Sequence, residues 1–245
     1  MTRLGRALLL VGGLCAAGPA MAQGFTAQQR AEIVTILREA LKNDPSILQD
    51  AIDALRNYEA QREQEAGRAA VANARDHLLV PGDQVAGNPN GDVTIIEFYD
   101  VRCGYCKRLE PVLTRYVADD RNIRRIYKEL PILGPASVLG ARAVLAARKQ
   151  GGYEKMREAL MKGSPDITMA SIQSEAKRLG LDSERLTRDM DDPEIRARID
   201  ANMALAQVLG IQGTPALVIG NELIPGAVPV EELRRAVATA RAGKG

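Results

Sequence analysis

The stretch Val93–Cys106 reads VTIIEFYDVRCGYC and is the best guide to the fold. Its first seven residues are apolar except for Thr94 and Glu97, and a run of this length and composition is typical of a strand buried in the middle of a sheet. After Cys103, apolar residues recur at every third or fourth position, which is the spacing of a helix. The sequence therefore predicts a strand that leads into a helix, with a Cys-x-x-Cys motif where the two meet.

The spacing of Cys103 and Cys106 suits a redox pair. On the first turn of a helix, positions three apart share a face, so the two sulfur atoms can close a disulfide. Free backbone N–H groups and the positive end of the helix dipole would favour the thiolate of Cys103, which is the nucleophile of thiol–disulfide exchange. Cys106 lies one turn further along, where it is better buried and suited to resolving a mixed disulfide.

Three other interpretations of the two cysteines remain open from the residues alone. A zinc site normally needs four ligands, and the motif offers two cysteines with only the distant His77 to add. A structural disulfide across so short a loop would constrain the unfolded chain little and would therefore stabilise the fold little. Two reduced core cysteines are the third interpretation, and an oxidising compartment argues against it.

Residues 1–22 have the pattern of a cleavable secretory signal peptide. Two arginines precede an apolar segment, and the small residues Ala20 and Ala22 frame the predicted cleavage site. A membrane anchor is disfavoured because the apolar run is shorter than the ~20 residues that span a bilayer. A lipoprotein anchor at Cys15 is disfavoured by the bulky Leu14 beside it. We therefore expect export to an oxidising compartment, with the two cysteines of the motif as the only ones that remain.

The composition is that of an ordinary soluble protein. The 245 residues include 33 Lys plus Arg, 31 Asp plus Glu and 46% hydrophobic residues, with 3% aromatic residues and no Trp. This composition excludes disordered, collagen-like and multi-span membrane proteins. Removal of residues 1–22 takes away two arginines and leaves 31 basic and 31 acidic residues, so the exported chain is formally neutral. A neutral chain lacks the basic excess that nucleic-acid binding requires, so we expect no nucleic-acid partner.

Residues 23–75 are predicted to form helices that lie apart from the rest of the chain. Thr26–Gln29 matches a capping box, and apolar residues follow at helical spacing up to Leu41. Asp44 and Pro45 then predict the start of a second helix, which carries a narrow apolar stripe followed by a long polar stretch. Such a segment either packs on the main domain or pairs with copies of itself, and the narrow stripe favours self-association. We therefore predict a homo-oligomer formed through this segment.

The remaining chain has the pattern of one domain. Residues 76–91 are rich in turn-forming residues and predict a linker to a main domain over residues 92–245. In that domain the pattern predicts a second strand after the first helix, several short helices over residues 135–210, and then a hairpin and a last helix. This order predicts an α/β fold with an all-helical insertion.

Several motifs together resemble the DsbA-like branch of the thioredoxin superfamily. These are Glu97–Asp100 leading into the cysteine motif, Lys128–Gly134 and Ser137 before the helical block, and Gly213–Ala216 before the hairpin. With the N-terminal helices, they are most similar to the suppressor-of-copper-sensitivity protein C-like group of periplasmic disulfide oxidoreductases and isomerases. The resemblance covers most of the exported chain. It implies a thioredoxin fold with an all-helical insertion, preceded by an N-terminal helical extension.

The resemblance also implies roles for particular residues. Thr214 and Pro215 would form a cis peptide bond beside the cysteines, in a loop that pairs with an extended substrate, whereas the residues alone would fit a trans proline opening an edge strand. Glu97 would be buried under the cysteines and move the proton of the resolving thiol, whereas without the resemblance it could face water. Gly104 and Tyr105 would tune the redox pair and contact the substrate. This dipeptide, like Thr214, resembles isomerases more than the strongest oxidases.

The predicted function is therefore that of a periplasmic thiol–disulfide oxidoreductase. It would act on the thiols and disulfides of proteins, leaning towards isomerase or reductase activity, through a redox-active disulfide between Cys103 and Cys106, with no metal and no cofactor. A membrane redox partner would keep this pair in its working state. The alternatives are a net dithiol oxidase and a copper-binding or chaperone-like module that uses the same thiols, since thiolates suit Cu(I).

Overall fold

The computed structural model describes residues 24–243, and these form two compact units that divide between Asn57 and Tyr58. The predicted signal peptide, residues 1–22, lies outside the described residues. None of the helices within residues 24–243 combines the length and the apolar character that crossing a bilayer requires.

The first unit is helical. Helix α1 spans Ala27–Asn43, and α2 begins at Ser46 and continues to Asn73 in the second unit. The predicted capping box is confirmed, because Thr26 Oγ1 accepts from the Gln29 N–H at 3.2 Å and Gln29 Oε1 accepts from the Thr26 N–H at 2.9 Å. These two bonds satisfy backbone donors that the start of a helix otherwise leaves free.

The apolar side chains of the first unit face outward. Within the described chain, α1 buries none of its residues. Ile36 and Leu37 of α1 and Leu48 and Leu55 of α2 are all more than half exposed. Helices gain most of their stability by packing an apolar face, and the described residues of this unit leave theirs exposed.

The second unit is built on a five-stranded sheet with the order β1-β3-β2-β4-β5. The strands are β1 (Gln84–Gly87), β2 (Val93–Tyr99), β3 (Ile123–Glu129), β4 (Ala216–Ile219) and β5 (Glu222–Pro225). β2 pairs in parallel with β3, where Val93 lies opposite Ile123, and antiparallel with β4, where Phe98 lies opposite Ala216. The predicted central strand is therefore confirmed, because β2 lies in the middle of the sheet and all but one of its residues are buried.

Strand β1 is not predicted by the sequence pattern. This strand lies within residues 76–91 and pairs antiparallel with β3, with Val85 opposite Ile126. Four residues between turn-forming residues give too short a pattern to separate from a loop. At its end, Gly87 has a φ of +72°, and a Cβ there would lie 2.6 Å from the Ile123 carbonyl oxygen, so the position requires glycine.

Helices cover the sheet and form a separate block. They are α3 (Arg75–Leu78), α4 (Gly104–Asp119), α5 (Pro135–Arg148), α6 (Tyr153–Lys162), α7 (Met169–Arg178), α8 (Ser183–Asp189), α9 (Pro193–Val208) and α10 (Val230–Ala242). The run from α5 to α9 is the helical insertion that the sequence predicts. At the start of α9, the N-cap residue Asp192 accepts from the Glu194 N–H through Oδ1 at 2.8 Å.

Three apolar clusters hold the second unit together. One packs α4 and α10 on one face of the sheet, around Leu113 and Leu233. A second packs α9 and the end of α2 on the other face, around Phe98. The third fills the helical block and includes Cys103 and Cys106. The cysteines therefore lie where the sheet, α4 and the helical block meet.

The end of α2 belongs to the second unit. Val71 is buried in the cluster around β2, and Arg68 Nη2 lies 3.2 Å from Glu222 Oε1. For residues 58–73, the prediction that the N-terminal helices pack on the main domain therefore applies. Residues 24–57 keep the exposed apolar stripe that the other interpretation, self-association, requires.

Candidate active site

Cys103 and Cys106 lie at the N-terminus of α4, where the sequence predicts them. Cys103 is the N-cap residue of α4, and Cys106 is on its first turn. Both are free thiols; Cys103 is 6% exposed and Cys106 is fully buried. A substrate approaching this end of the helix therefore meets the Cys103 sulfur first.

The burial of Cys106 keeps its proton in place. Removal from water raises the pKa of the Cys106 thiol well above its ordinary value, and a backbone hydrogen bond at Asp100 opposes this only in part. Cys106 is therefore a thiol at neutral pH, and it becomes a nucleophile only when a base removes the proton.

The loop before β4 lies against Cys103. The Cys103 thiol donates to the Thr214 carbonyl oxygen at 3.1 Å, and the Thr214–Pro215 bond is cis, as the resemblance implies. The Pro215 carbonyl oxygen accepts from the Gly226 N–H at 2.8 Å, which ties the loop to the chain after β5. The trans proline that the residues alone allow is therefore wrong, and the backbone of this loop lies within hydrogen-bond distance of the outer cysteine.

Glu97 is a buried carboxylate in the central strand. It is fully buried, so the alternative in which it faces water is wrong. Its Oε2 accepts from Arg125 Nη2 at 2.6 Å and from Arg125 Nε at 3.1 Å. Its Oε1 is buried and has no hydrogen-bond partner among the described residues. Burial is the main cause of the raised pKa of Cys106, and the charge of Glu97 adds to it, so this carboxylate acts electrostatically on the resolving thiol.

Gly104 and Tyr105 form the exposed edge of the motif. The Tyr105 ring is 61% exposed, and the Arg108 guanidinium lies 4.1 Å from its centroid. Tyr105, Thr214 and Pro215 line one end of a groove of about 990 Å³, whose other walls come from α2 and from the loops before β4 and after β5. A groove of this size beside the cysteines has room for several residues of an extended polypeptide.

Two cations next to the cysteines hold neighbouring loops, a role that the sequence analysis did not predict. Arg102 Nε donates to the Pro165 carbonyl oxygen at 2.7 Å, and Arg102 Nη1 donates to that of Leu133 at 2.6 Å. Lys107 Nζ donates to the Gly163 carbonyl oxygen at 2.8 Å. Burial and the charge of Arg102 lower the pKa of Lys107. Each contact joins residues far apart in the chain, so no local pattern could have revealed it.

Charged side chains on α4 and α6 form ion pairs that the sequence pattern does not predict. Arg125 Nη2 lies 2.7 Å from Glu110 Oε2, and Arg157 donates to both carboxylate oxygens of Glu110. Because Arg125 also pairs with Glu97, a continuous series of charged side chains runs from the helical insertion to β2. An arginine within the buried strand β3 is the signal that could have indicated this network, since such a charge requires a partner.

Comparisons with known proteins agree with this geometry. Residues 94–238 match the family model of the DSBA-like thioredoxin domain. A solved thioredoxin-like oxidoreductase from Silicibacter pomeroyi is 46% identical, with a TM-score of 0.66, and the match covers 69% of this chain and 98% of that chain. ScsC of Proteus mirabilis in a transitional conformation is 31% identical, with a TM-score of 0.65, and the match covers 89% of this chain and 100% of that chain.

A curated relative is much longer than this chain. A Na(+)/H(+) antiporter, NhaA 1 of Salinispora arenicola, is 30% identical over 172 residues, which is 68% of this chain and 26% of the antiporter. The chain thus spans about a quarter of the length of that relative.

The family match covers more than half of the chain and includes β2, the cysteine motif, the helical insertion and the cis-proline loop. The predicted thioredoxin fold with an all-helical insertion is therefore confirmed, and the chain belongs to the family of DsbA-like thioredoxin domains.

Proposed function

We propose that this protein is a periplasmic thiol–disulfide oxidoreductase that acts on the thiols and disulfides of other proteins. The observation that carries the proposal is the position of Cys103, whose sulfur lies at the start of α4 and 3.1 Å from the Thr214 carbonyl oxygen, with Cys106 buried one turn behind it. An outer cysteine sulfur, a resolving thiol and a loop that can pair with an extended chain are thus in one place.

The reaction begins with attack on a substrate disulfide. The Cys103 thiolate bonds to one substrate sulfur, and the other substrate sulfur leaves as a thiolate. Cys106 then gives its proton to Glu97, attacks Cys103 Sγ and releases the second substrate sulfur as a thiolate. The substrate disulfide gains two electrons and the two protein thiols lose them, which leaves a disulfide between Cys103 and Cys106. The reverse sequence oxidises two substrate thiols.

We infer that the protein leans towards isomerase or reductase activity. In isomerisation another substrate thiolate attacks the mixed disulfide before Cys106 does, so no net electrons are transferred. This requires Cys103 to be kept reduced, and a membrane redox partner would supply the electrons. The support for this direction is the Gly104-Tyr105 dipeptide and Thr214, which resemble those of isomerases.

Substrate binding would use the groove beside the motif. An extended substrate would lie along the loop that contains Thr214 and Pro215 and pair with its backbone as an added strand. Gly104 leaves open space above the cysteines, since a Cβ there would have only Arg108 Nη1 within 4 Å, at 3.7 Å. Tyr105 would contact the substrate with its exposed ring. Backbone hydrogen bonds do not depend on the side chains of the substrate, which suits an enzyme that acts on many proteins.

Self-association would bring several active sites together. We propose a homo-oligomer that forms through residues 23–75, with the contacts made by the exposed apolar side chains of residues 24–57. Burying these side chains against other copies would stabilise the first unit. Active sites facing a shared space would suit rearrangement of a misfolded substrate.

Refolding of ribonuclease tests this function and its direction. In a glutathione buffer, the protein is expected to speed the recovery of ribonuclease activity from scrambled ribonuclease more than from fully reduced ribonuclease, because the first reaction needs isomerisation and the second needs oxidation. The control is the same protein with both cysteines alkylated. Faster oxidation than isomerisation would indicate a dithiol oxidase. If both reactions stay at the control rate, the enzymatic proposal is wrong, and a module that binds Cu(I) through these thiols becomes the better account.

A further inference from the structure

Four charged side chains form an alternating series beneath the cysteines. We call Glu97, Arg125, Glu110 and Arg157 the charge ladder. Arg125 Nη2 lies 2.6 Å from Glu97 Oε2 and 2.7 Å from Glu110 Oε2. Arg157 Nη1 donates to Glu110 Oε2 at 2.9 Å, and Arg157 Nη2 donates to Glu110 Oε1. The ladder therefore runs from β2 through β3 and α4 to α6, in the helical insertion.

The two arginines of the ladder are shielded from water, whereas the Glu110 side chain is 18% exposed. The side chains of Arg125 and Arg157 are each 2% exposed. The aromatic ring of Tyr127 also contacts both guanidinium groups, at 4.6 Å from Arg125 and 4.1 Å from Arg157. Charges interact more strongly away from water, so removing a charge at one end of the ladder changes the electrostatic interactions at the other end.

Glu110 carries its charge at every working pH. Burial alone would raise its pKa, but the hydrogen bonds from Arg157 and the charges of Arg125 and Arg157 lower the pKa of Glu110 to about 2. Two carboxylates, Glu97 and Glu110, thus share the single guanidinium of Arg125. Arg157 balances the second of them from the far side.

We propose that Glu110 and Arg157 are positioning residues that set how strongly Arg125 holds Glu97, and so set how readily Glu97 accepts the proton of Cys106. This inference rests on the proposed function. Neither residue touches the reacting sulfurs; each acts through Arg125. The helical insertion would then adjust the resolving step of the reaction as well as shaping the site.

The ladder predicts shifts of opposite sign for substitutions at Arg157 and at Glu110, the two members that do not contact Glu97. Arg157→Met removes a positive charge, leaves Glu110 to compete for Arg125, and makes protonation of Glu97 easier. Glu110→Gln removes the competing carboxylate and makes protonation of Glu97 harder. The other titratable and charged groups that face the ladder stay in place in both variants: Tyr99 on β2, Tyr127 on β3, Cys106 on α4 and Glu154 on α6.

The experiment follows the resolving step with an aromatic disulfide, 5,5′-dithiobis(2-nitrobenzoate), mixed in equal amount with the reduced protein in a stopped-flow instrument. Attack by Cys103 forms a mixed disulfide and releases one coloured thiolate. Cys106 then passes its proton to Glu97, attacks Cys103 Sγ and releases the second coloured thiolate, so the protein loses two electrons and the reagent gains them. The rate of the second release against pH measures how readily Cys106 loses its proton to Glu97.

We expect the midpoint pH of the second phase to rise by about 0.5 to 1 unit in Arg157→Met and to fall by a similar amount in Glu110→Gln. The double variant should return close to the unmodified protein, because it removes one charge of each sign. Arg157→Lys keeps the charge and should also stay close to it. A purely structural role would lower stability in these variants without opposite shifts.

Lys128→Met is the matched control. Lys128 is also a buried cation on β3, and its Nζ lies 2.8 Å from Asp83 Oδ2, but it does not belong to the ladder. Asp83 keeps Arg198 as a partner at 3.1 Å in this variant, so the carboxylate is not left alone. We expect no shift of the second phase here.

The two phases separate failure of this inference from failure of the proposed function. If the first release is absent, Cys103 is not the nucleophile and the proposed function fails. If both releases occur but Arg157→Met and Glu110→Gln leave the midpoint unchanged, or shift it in the same direction, the inference about the ladder is overturned. If Arg157→Met fails to fold, Glu110→Gln alone tests the inference. Any result other than a lower midpoint pH of the second release then contradicts it.

Discussion

Replacing Cys103 with serine is expected to lower the rate of disulfide exchange at least ~1,000-fold, because a hydroxyl cannot act as the thiolate nucleophile. The refolding of scrambled ribonuclease measures this loss. Serine is close in size to cysteine, and the position is at the edge of the apolar cluster, so the fold should survive. Circular dichroism of the variant serves as the control for folding.

The Cys106→Ser variant is expected to behave differently. Cys103 can still attack, but nothing inside the protein can resolve the mixed disulfide, so covalent complexes with substrate should accumulate and disappear on addition of dithiothreitol. Non-reducing electrophoresis detects them. If Cys103→Ser retains exchange activity, or if Cys106→Ser traps nothing while Cys103→Ser does, the assigned roles of the two cysteines are incorrect.

The second large effect concerns the first unit. Changing Leu37 of α1 and Leu48 of α2 together to lysine is expected to convert an oligomer of the exported chain to single chains, as measured by light scattering. Both side chains are more than half exposed in one copy, and each leucine buried in a contact between copies contributes about 1.5–3 kcal/mol. A lysine in the same contact would be left without water or a partner.

The matched control places lysine elsewhere on the same helices. Gln28 of α1 and Asn57 of α2 are exposed and polar, and helical spacing puts them away from the apolar stripes. Their lysine variants should keep the mass of the unmodified oligomer. An exported chain that is already a single copy before any substitution would contradict self-association, and so would equal dissociation in the two pairs of variants.

The sequence predicted those parts of the fold that depend on local patterns. β2 is a long apolar run, α4 has helical spacing, and Thr26–Gln29 has the four residues of a capping box, so each can be recognised without knowing its surroundings. β1 could not be, because its four residues form a strand only through pairing with β3. Polar residues in α2 likewise concealed that its end packs on the sheet, where small residues such as Gly67 lie close to Leu223.

In the candidate site, too, the residues with a local pattern were predicted and the long-range contacts were not. The spacing of Cys103 and Cys106 indicated a redox pair, and the resemblance supplied Glu97 and the cis bond before Pro215. Neither source indicated the partner of Glu97, because Arg125 lies in a different strand and its position depends on the register between β2 and β3. Arg157 is still more distant from Glu97 in the sequence, because it lies in the helical insertion. Long-range ion pairs leave no periodic signal in a single sequence.

The most direct test of the account is a redox titration of residues 23–245 against mixtures of reduced and oxidised glutathione. Free thiols are alkylated at each ratio, and mass spectrometry counts the alkyl groups on every chain. The account predicts two populations, one with both Cys103 and Cys106 alkylated and one with neither, which interconvert as a two-electron couple. Separate stable glutathione adducts on the two cysteines, or thiols that stay reduced at every ratio, would contradict it.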